Sequence, residues 1–136
     1  MNIVKFIKDE LNLEARAISE VAERIDSKIE DAIELLFNCK SKVVVTGMGK
    51  AGIIARKIAA TLASTGTTAI FLHAAEGIHG DLGLLNKDDV VIAVSNSGNT
   101  NELTSIIPHI KFRKIPIIAL TGNLQSQLAK NSDVTI

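Results

Sequence analysis

The chain has 136 residues, a length that fits one domain. Hydrophobic residues make up 46% and charged residues 22%, which is a globular composition with enough apolar mass for a core. Fifteen basic residues balance fifteen acidic ones and aromatic residues are only 3%, which argues against a nucleic-acid-binding protein. The lone Cys39 excludes a disulfide framework, and no apolar run is long enough for a membrane span. Charged residues near the N-terminus exclude a signal-peptide core, so we expect a cytoplasmic domain.

Residues 1–39 contain neither glycine nor proline and mix charged with apolar side chains, which predicts an N-terminal helical segment. Apolar side chains recur every seven residues at Val4, Leu11, Ile18, Ile25 and Ala32. This long stripe is typical of two helices, or of one helix that also packs on another subunit. For its second half, packing on the domain's own sheet is an equal alternative. We expect a homo-oligomer, a dimer or a tetramer, that uses this segment.

From residue 40 onwards, short β-branched runs alternate with helical stretches. The predicted strands are residues 42–46, 68–72, 89–94, 115–120 and 133–136, and the predicted helices are residues 50–64, 101–112 and 123–130. This alternation predicts βαβ crossovers, and therefore an α/β fold with a doubly wound parallel sheet. Residues 73–85 are the exception, because three glycines and no helical period predict an irregular segment there. Such segments inside compact domains are usually functional.

A glycine-rich turn follows the first predicted strand and begins a helix. Gly47, Gly49 and Gly52 fit the G-x-G-x-x-G spacing, in which free N–H groups at a helix N-terminus face an anion. A dinucleotide site would also need an acidic residue at the end of the second strand, and the nearest acid, Glu76, comes after that end. The turn is interpreted either as a phosphate site or as glycines that serve close helix–strand packing alone.

A second loop, residues 95–100 with the sequence SNSGNT, follows the third predicted strand and precedes a helix. Its three hydroxyls, one glycine and helix N-terminus form an anion cradle. The alternative is a plain N-cap made by Thr100 or Asn99. Because both loops follow neighbouring parallel strands, they are expected to face one crevice, the place where open α/β sheets bind ligands. Together they favour a small phosphorylated ligand.

Three segments resemble the sugar isomerase (SIS) domain, most closely that of the D-arabinose-5-phosphate isomerases. They are VVVTGMGKAG at residues 43–52, EGIHGDLG at residues 76–83 and VVIAVSNSGNTNE at residues 90–102. The resemblance implies a three-layer α/β/α sandwich, flavodoxin-like, with a five-stranded parallel sheet over residues 40–136. It also implies an aldose–ketose isomerase that converts arabinose 5-phosphate to ribulose 5-phosphate through an enediolate. Such an enzyme serves Kdo and lipopolysaccharide synthesis and requires no cofactor.

The same resemblance implies roles for individual residues. Lys50, His79 and Glu102 match the catalytic residues. The residues that match substrate- and phosphate-binding positions are Gly49, Gly66, Thr67, Ser95, Asn96, Ser97, Gly98 and Thr100. His73 matches a histidine associated with zinc in the family, although one histidine is too few for a metal site by itself. Carboxylate, imidazole and ammonium groups suit proton removal, proton transfer between sugar oxygens and anion pairing, respectively.

The sequence departs from the family in two respects. The phosphate loop reads SNSGNT where SNSGES is common, so one acidic side chain beside the phosphate is absent. The resembling enzymes also continue past the position of Ile136 with further SIS elements and a pair of CBS domains. We therefore expect an SIS domain whose C-terminal part is missing, which binds a phosphorylated pentose but isomerises it poorly. A non-catalytic sugar-phosphate-binding module or regulator and a nucleotide-binding Rossmann domain are the alternatives, and neither nucleic acid nor a membrane is an expected partner.

Overall fold

A computed structural model describes residues 2–136, which form one five-stranded parallel sheet between helices. The strands are β1 (Val43–Gly47), β2 (Ala69–His73), β3 (Val90–Val94), β4 (Ile117–Leu120) and β5 (Val134–Thr135). The α-helices are α1 (Ile3–Arg24), α2 (Lys28–Phe37), α3 (Gly49–Ser64), α4 (Ala74–Ile78), α5 (Asn101–Phe112) and α6 (Gln127–Asn131), and a 3₁₀ turn covers Asp81–Leu84. The sheet order β2-β1-β3-β4-β5 confirms the predicted doubly wound α/β fold.

The middle strands are apolar without alternation because both faces of the sheet are covered. All five residues of β1 are buried, and β1 pairs in parallel with β2 on one side and β3 on the other. On one face, Val43 and Val45 pack with small residues of α2 and α3, among them Ala32 and Ala55. On the opposite face, the core residues include Val44, Val91, Leu103, Ile106 and Ile110. These two cores give the three-layer arrangement that the resemblance implies.

The N-terminal segment consists of two helices, which is one of the two arrangements that its length allows. α1 ends at Arg24 and α2 begins at Lys28. α2 covers the sheet, because its Ala32 is buried in the core beside β1. In contrast, every residue from 2 to 28 is exposed to solvent, so α1 contributes nothing to the core of its own chain. No helix of the described residues is long and apolar enough to cross a membrane.

Two predicted segments differ from the structure in their local conformation. Residues 73–85 are not irregular throughout, since they include the short helix α4 and the 3₁₀ turn. Gly77 is the reason that α4 fits there: a Cβ at this position would lie 3.3 Å from side chains of Leu72 and Ile106, so the helix lies close to the core. The last predicted helix begins later than expected, at Gln127, because residues 121–125 form a loop and Ser126 is the N-cap, whose Oγ accepts a hydrogen bond from the Ala129 N–H.

A buried ion pair fixes the amino ends of β1 and β3. Asp89 is 1% exposed, and its carboxylate accepts hydrogen bonds from the Lys42 Nζ at 2.8 Å and from the Asn86 N–H at 2.7 Å. Burial by itself raises the pKa of Asp89, but the Asn86 N–H, the Lys42 ammonium and Ser41 together hold the pKa below its ordinary value. The carboxylate is therefore ionised at neutral pH and ties the two strands together.

Candidate functional site

The turn between β1 and α3 uses its glycines for two different purposes. A Cβ on Gly47 would lie 3.0 Å from the Val94 carbonyl oxygen, and a Cβ on Gly52 would lie 3.1 Å from the Gly47 oxygen. These two glycines therefore allow α3 to pack directly on the sheet, as the packing alternative proposes. Gly49 differs, because its φ of +53° is left-handed and open space surrounds it. Met48 provides no side-chain cap, so the first N–H groups of α3 are free to meet a ligand.

The loop of residues 95–100 is folded on itself around Ser95, which is 3% exposed. The Ser95 Oγ accepts a hydrogen bond from the Gly98 N–H at 3.0 Å and lies 3.1 Å from the Thr100 Oγ1. Ser97 is exposed, and its Oγ accepts from the Asn99 N–H at 3.2 Å, which leaves its own O–H available as a donor. Thr100 is the N-cap residue of α5 but makes no side-chain cap. The first N–H groups of α5 are thus also free.

A neighbouring loop, between β4 and α6, supports this one, and the sequence analysis missed it. The Gly122 N–H donates to the Asn96 carbonyl at 3.0 Å, and the Leu128 N–H donates to the Gly98 carbonyl at 3.0 Å. The buried Ser126 side chain lies so close to Gly98 that any Cβ on Gly98 would overlap it. Gly98 also has a φ of +65°, so both space and backbone conformation require glycine. The sequence can signal that Ser126 caps the N-terminus of α6, but it does not signal this contact with Gly98.

The three predicted catalytic residues lie on segments at the carboxyl edge of the sheet. Lys50 is exposed in the first turn of α3, and Glu102 is half-buried in the first turn of α5. His79 is the exposed C-cap residue of α4, and the guanidinium of Arg113 holds the segment after it by donating to the Leu82 and Leu85 carbonyls. Within residues 2–136, none of the three predicted catalytic side chains makes a hydrogen bond, so all three are free to act on a ligand.

Gly66 and Thr67 do not join this group within one chain. They connect the end of α3 to the start of β2, and Thr68 pairs with Val43 at the amino end of β1. The sheet separates that end from the phosphate loops by the length of a five-residue strand, roughly 16 Å. The match of Gly66 and Thr67 to a substrate-side turn stays a prediction, and in this chain both residues lie at the amino edge of the sheet. The position of a turn before a strand places it at the amino edge, away from the crevice.

Two buried polar atoms near the carboxyl edge have no hydrogen-bond partner among the described residues: the Thr46 Oγ1 and the His73 Nδ1. Side chains along a strand point alternately to the two faces of the sheet. Thr46 therefore lies on the face of Val44 and Leu72, and His73 lies on the opposite face, with Phe71. The His73 ring contacts Phe71 edge to face. Across residues 2–136 no three His, Cys, Asp or Glu side chains are grouped to hold a metal, so His73 lacks companion ligands. The donor set does not fit zinc, and we assign no step to a metal.

Residues 35–136 match the SIS domain, and the chain belongs to that family. Among its relatives is the arabinose 5-phosphate isomerase KdsD of Salmonella typhi, which is 46% identical over 127 residues. That match covers 93% of this chain but 39% of the relative, so the chain spans well under half of that enzyme's length. One similar solved structure is E. coli CFT073 c3406 in complex with arabinose 5-phosphate. It has a TM-score of 0.95 and 43% identity, and the match covers 99% of this chain and 72% of that one.

A more distant structure shows how widely the fold extends. The Vibrio vulnificus NanR protein complexed with ManNAc-6P superimposes with a TM-score of 0.86, covering 96% of this chain and 49% of that chain. At 22% identity the two proteins share the fold, and the likeness carries no statement about function.

Proposed function

We propose that this chain is the sugar-phosphate-binding SIS part of an arabinose-5-phosphate isomerase. The observation that carries the proposal is the loop of residues 95–100, which is pre-folded around buried Ser95 at the free N-terminus of α5. A second free helix N-terminus, that of α3, follows the adjacent strand β1. Two such anion-attracting ends at a switch point of the sheet suit a small phosphorylated ligand. The KdsD relative and the solved complex of the E. coli protein support arabinose 5-phosphate as that ligand.

In this proposal the two serines of the loop have different roles. Ser95 shapes the loop, because its oxygen is buried and already bonded to Gly98 and Thr100. Ser97 meets the phosphate, because its hydroxyl is exposed and its O–H has no acceptor in the loop. The free N–H groups of α5 complete the cradle together with Asn96, Gly98 and Thr100. Binding at this loop orients a flexible sugar for reaction, which is a large part of catalysis for such substrates.

The chemistry assigned to the predicted catalytic residues follows from their groups. Glu102 removes the proton from C2 of the aldose; the C2–H electron pair forms the new C1–C2 double bond, and the π pair of the C1 carbonyl moves onto O1 to give an enediolate. Return of that proton to C1, with loss of the proton on O2, leaves the carbonyl at C2 of the ketose. His79 transfers the proton between O1 and O2, and the Lys50 ammonium stabilises the negative oxygen. No redox change and no cofactor are involved.

The proposal also covers the pathway, the cellular compartment and the oligomeric state. The ketose–aldose pair would belong to Kdo and lipopolysaccharide synthesis, in the cytoplasm, with the protein acting as a homo-oligomer, a dimer or tetramer. The alternative function is a sugar-phosphate-binding regulator without turnover. Such a regulator would keep the loop of residues 95–100 but would need neither Glu102 nor His79. Three ionisable side chains at the same edge of the sheet as the loop, none of them hydrogen-bonded within residues 2–136, favour the enzyme.

A ligand comparison tests the proposal directly. Arabinose 5-phosphate should raise the midpoint of thermal unfolding, because a ligand that binds only the folded chain stabilises it by about 2.7 kcal/mol at one hundred times its Kd. NADH at the same concentration should leave the midpoint unchanged, since the second strand ends without the acidic residue that a ribose requires. Stabilisation by NADH and not by the sugar phosphate would replace the proposal with the dinucleotide alternative.

A further inference from the structure

Asn99 is the residue of the loop of residues 95–100 that the resemblance matches to no binding position. Its side chain is exposed, and its Oδ1 accepts a hydrogen bond from the N–H of Gln127, the first residue of α6, at 2.9 Å. A backbone N–H donates only to the oxygen of a carboxamide, so this bond fixes which end of the Asn99 amide faces α6. The Nδ2 group, with two N–H donors, is therefore the end turned away from Gln127, and it makes no hydrogen bond within residues 2–136.

The same bond shows that Asn99 does not cap α5. A capping asparagine accepts a hydrogen bond from an N–H two or three residues further along its own helix, whereas the Asn99 oxygen is bonded to α6. Thr100, the N-cap residue of α5, makes no side-chain cap either. The first N–H groups of α5 and the Asn99 Nδ2 are therefore unoccupied donors at neighbouring positions of the chain.

Asn99 also lies next to the hydroxyl that is proposed to meet the phosphate. Its own N–H donates to the Ser97 Oγ at 3.2 Å, which orients that oxygen and leaves the Ser97 O–H for a ligand. Gly98, between the two residues, has a φ of +65° and lies against Ser126, so the spacing between them is fixed. An anion held by Ser97 and by the N–H groups of α5 therefore faces the part of the loop from which Asn99 projects.

A neutral NH₂ donor at this position suits a phosphate group. Phosphate oxygens accept several hydrogen bonds, and a bond to a charged acceptor is about twice as strong as a bond between neutral groups. We propose that the Asn99 Nδ2 donates a hydrogen bond to the phosphate of the bound sugar phosphate, which makes Asn99 a further binding residue. This inference rests on the proposed function of the loop, because Ser97 and the N–H groups of α5 hold the same anion.

Two substitutions separate this contact from the support that Asn99 gives to α6. Asn99→Asp keeps an oxygen for the Gln127 N–H but replaces the NH₂ donor by a negatively charged oxygen. Its Kd for arabinose 5-phosphate, measured by titration calorimetry, should therefore rise about tenfold or more. Asn99→Ala removes the donor without adding a charge, so its Kd should also rise, by a smaller factor. If Asn99 served only α6, Asn99→Ala would weaken binding and Asn99→Asp would not, a result that would overturn the proposal.

The matched control is Asn12→Asp, the same chemical change at an exposed position of α1, which should leave the Kd unchanged. Asn99→Asp should not lower the midpoint of thermal unfolding, since a carboxylate also accepts the Gln127 N–H. No binding by the unmodified chain would overturn the proposed function and this inference with it. Full affinity of Asn99→Asp beside weakened binding by Ser97→Ala would overturn the inference alone.

Side-chain amide resonances of the ¹⁵N-labelled chain test the contact itself. The Asn99 NH₂ pair is identified by its absence from the spectrum of Asn99→Asp. It should shift on addition of arabinose 5-phosphate and also on addition of inorganic phosphate. A shift with the sugar phosphate alone would mean that Asn99 contacts the sugar, and no shift with either would mean that Asn99 contacts no ligand. Both of these results would overturn the proposal.

Discussion

Asp89 shows how one buried carboxylate fixes the end of the sheet that lies opposite the candidate site. It receives the Lys42 ammonium and two backbone N–H groups, those of Lys42 and Asn86. Its ordinary pKa is 3.8, and in the folded chain these donors lower the pKa despite burial. A carboxylate with a lowered pKa stabilises the fold above pH 3.8, and this contribution is lost as the pH falls through the lower, folded-state value.

Replacing this carboxylate should therefore destabilise the chain in a pH-dependent way. Asp89→Asn should lower the free energy of unfolding at pH 7 by about 3 kcal/mol, because it leaves the Lys42 ammonium without its counter-charge. The difference from the unmodified chain should shrink below pH 3.8, where the unfolded carboxyl is protonated. Urea unfolding at several pH values measures this difference in the free energy of unfolding. Asp88→Asn, one residue earlier and exposed, should change stability by no more than about 0.5 kcal/mol. Equal losses for both variants would mean that the ion pair between Lys42 and Asp89 does not stabilise the fold.

At the scale of elements, the shape of the loop of residues 95–100 depends on a second loop, the one between β4 and α6, which packs against it. The loop of residues 95–100 supplies the hydroxyls. Its backbone is held by Gly122 of the loop between β4 and α6 and by Leu128 in the first turn of α6. The contact between Gly98 and Ser126 leaves no space for a side chain. The shape of the loop therefore depends on a segment about 25 residues further along the chain.

Substitution of Gly98 tests this dependence. Gly98→Ala adds a Cβ that overlaps Ser126 and places alanine at a φ of +65°, so it should destabilise the chain by about 2 kcal/mol or more and weaken sugar-phosphate binding. Gly83→Ala is the matched control, since a Cβ at Gly83 meets nothing within 4 Å and its φ is not left-handed. Thermal unfolding compares the two. A tolerated Gly98→Ala would mean that the two loops are not held together as described.

The elements also show what the sequence predicts and where it fails. β-branched runs such as those of β1 and β3 predict buried parallel strands, because only strands covered on both faces are apolar throughout. The N-terminus of α5 is predicted at the correct residue because the loop before it has helix-capping residues. The helix α4 is missed because five residues with a glycine carry no helical period. The support from Ser126 is missed because it is a contact across the fold, which no local pattern encodes.

At the scale of the whole molecule, the two edges of the sheet and the helix α1 expose different groups. The carboxyl edge presents two free helix N-termini and the predicted catalytic residues, while the amino edge is fixed by Asp89. α1 projects an apolar face away from its own core. Topology explains why the candidate ligand site is predictable: parallel strands bring the loops that follow β1 and β3 to one crevice. The same rule places Gly66 and Thr67 at the other edge, which motif matching alone does not reveal.

The central claim is that the loop of residues 95–100 binds the phosphate of a pentose phosphate, and titration calorimetry with arabinose 5-phosphate tests it most directly. The unmodified chain should bind, and Ser97→Ala should raise the Kd about tenfold, since it removes one hydrogen bond to a charged group, worth about 1.4 kcal/mol. Ser105→Ala removes a hydroxyl from the exposed side of α5, bonded only to the Glu102 carbonyl, and should leave the Kd unchanged. Unaltered affinity in Ser97→Ala, or no binding by the unmodified chain, would contradict the claim.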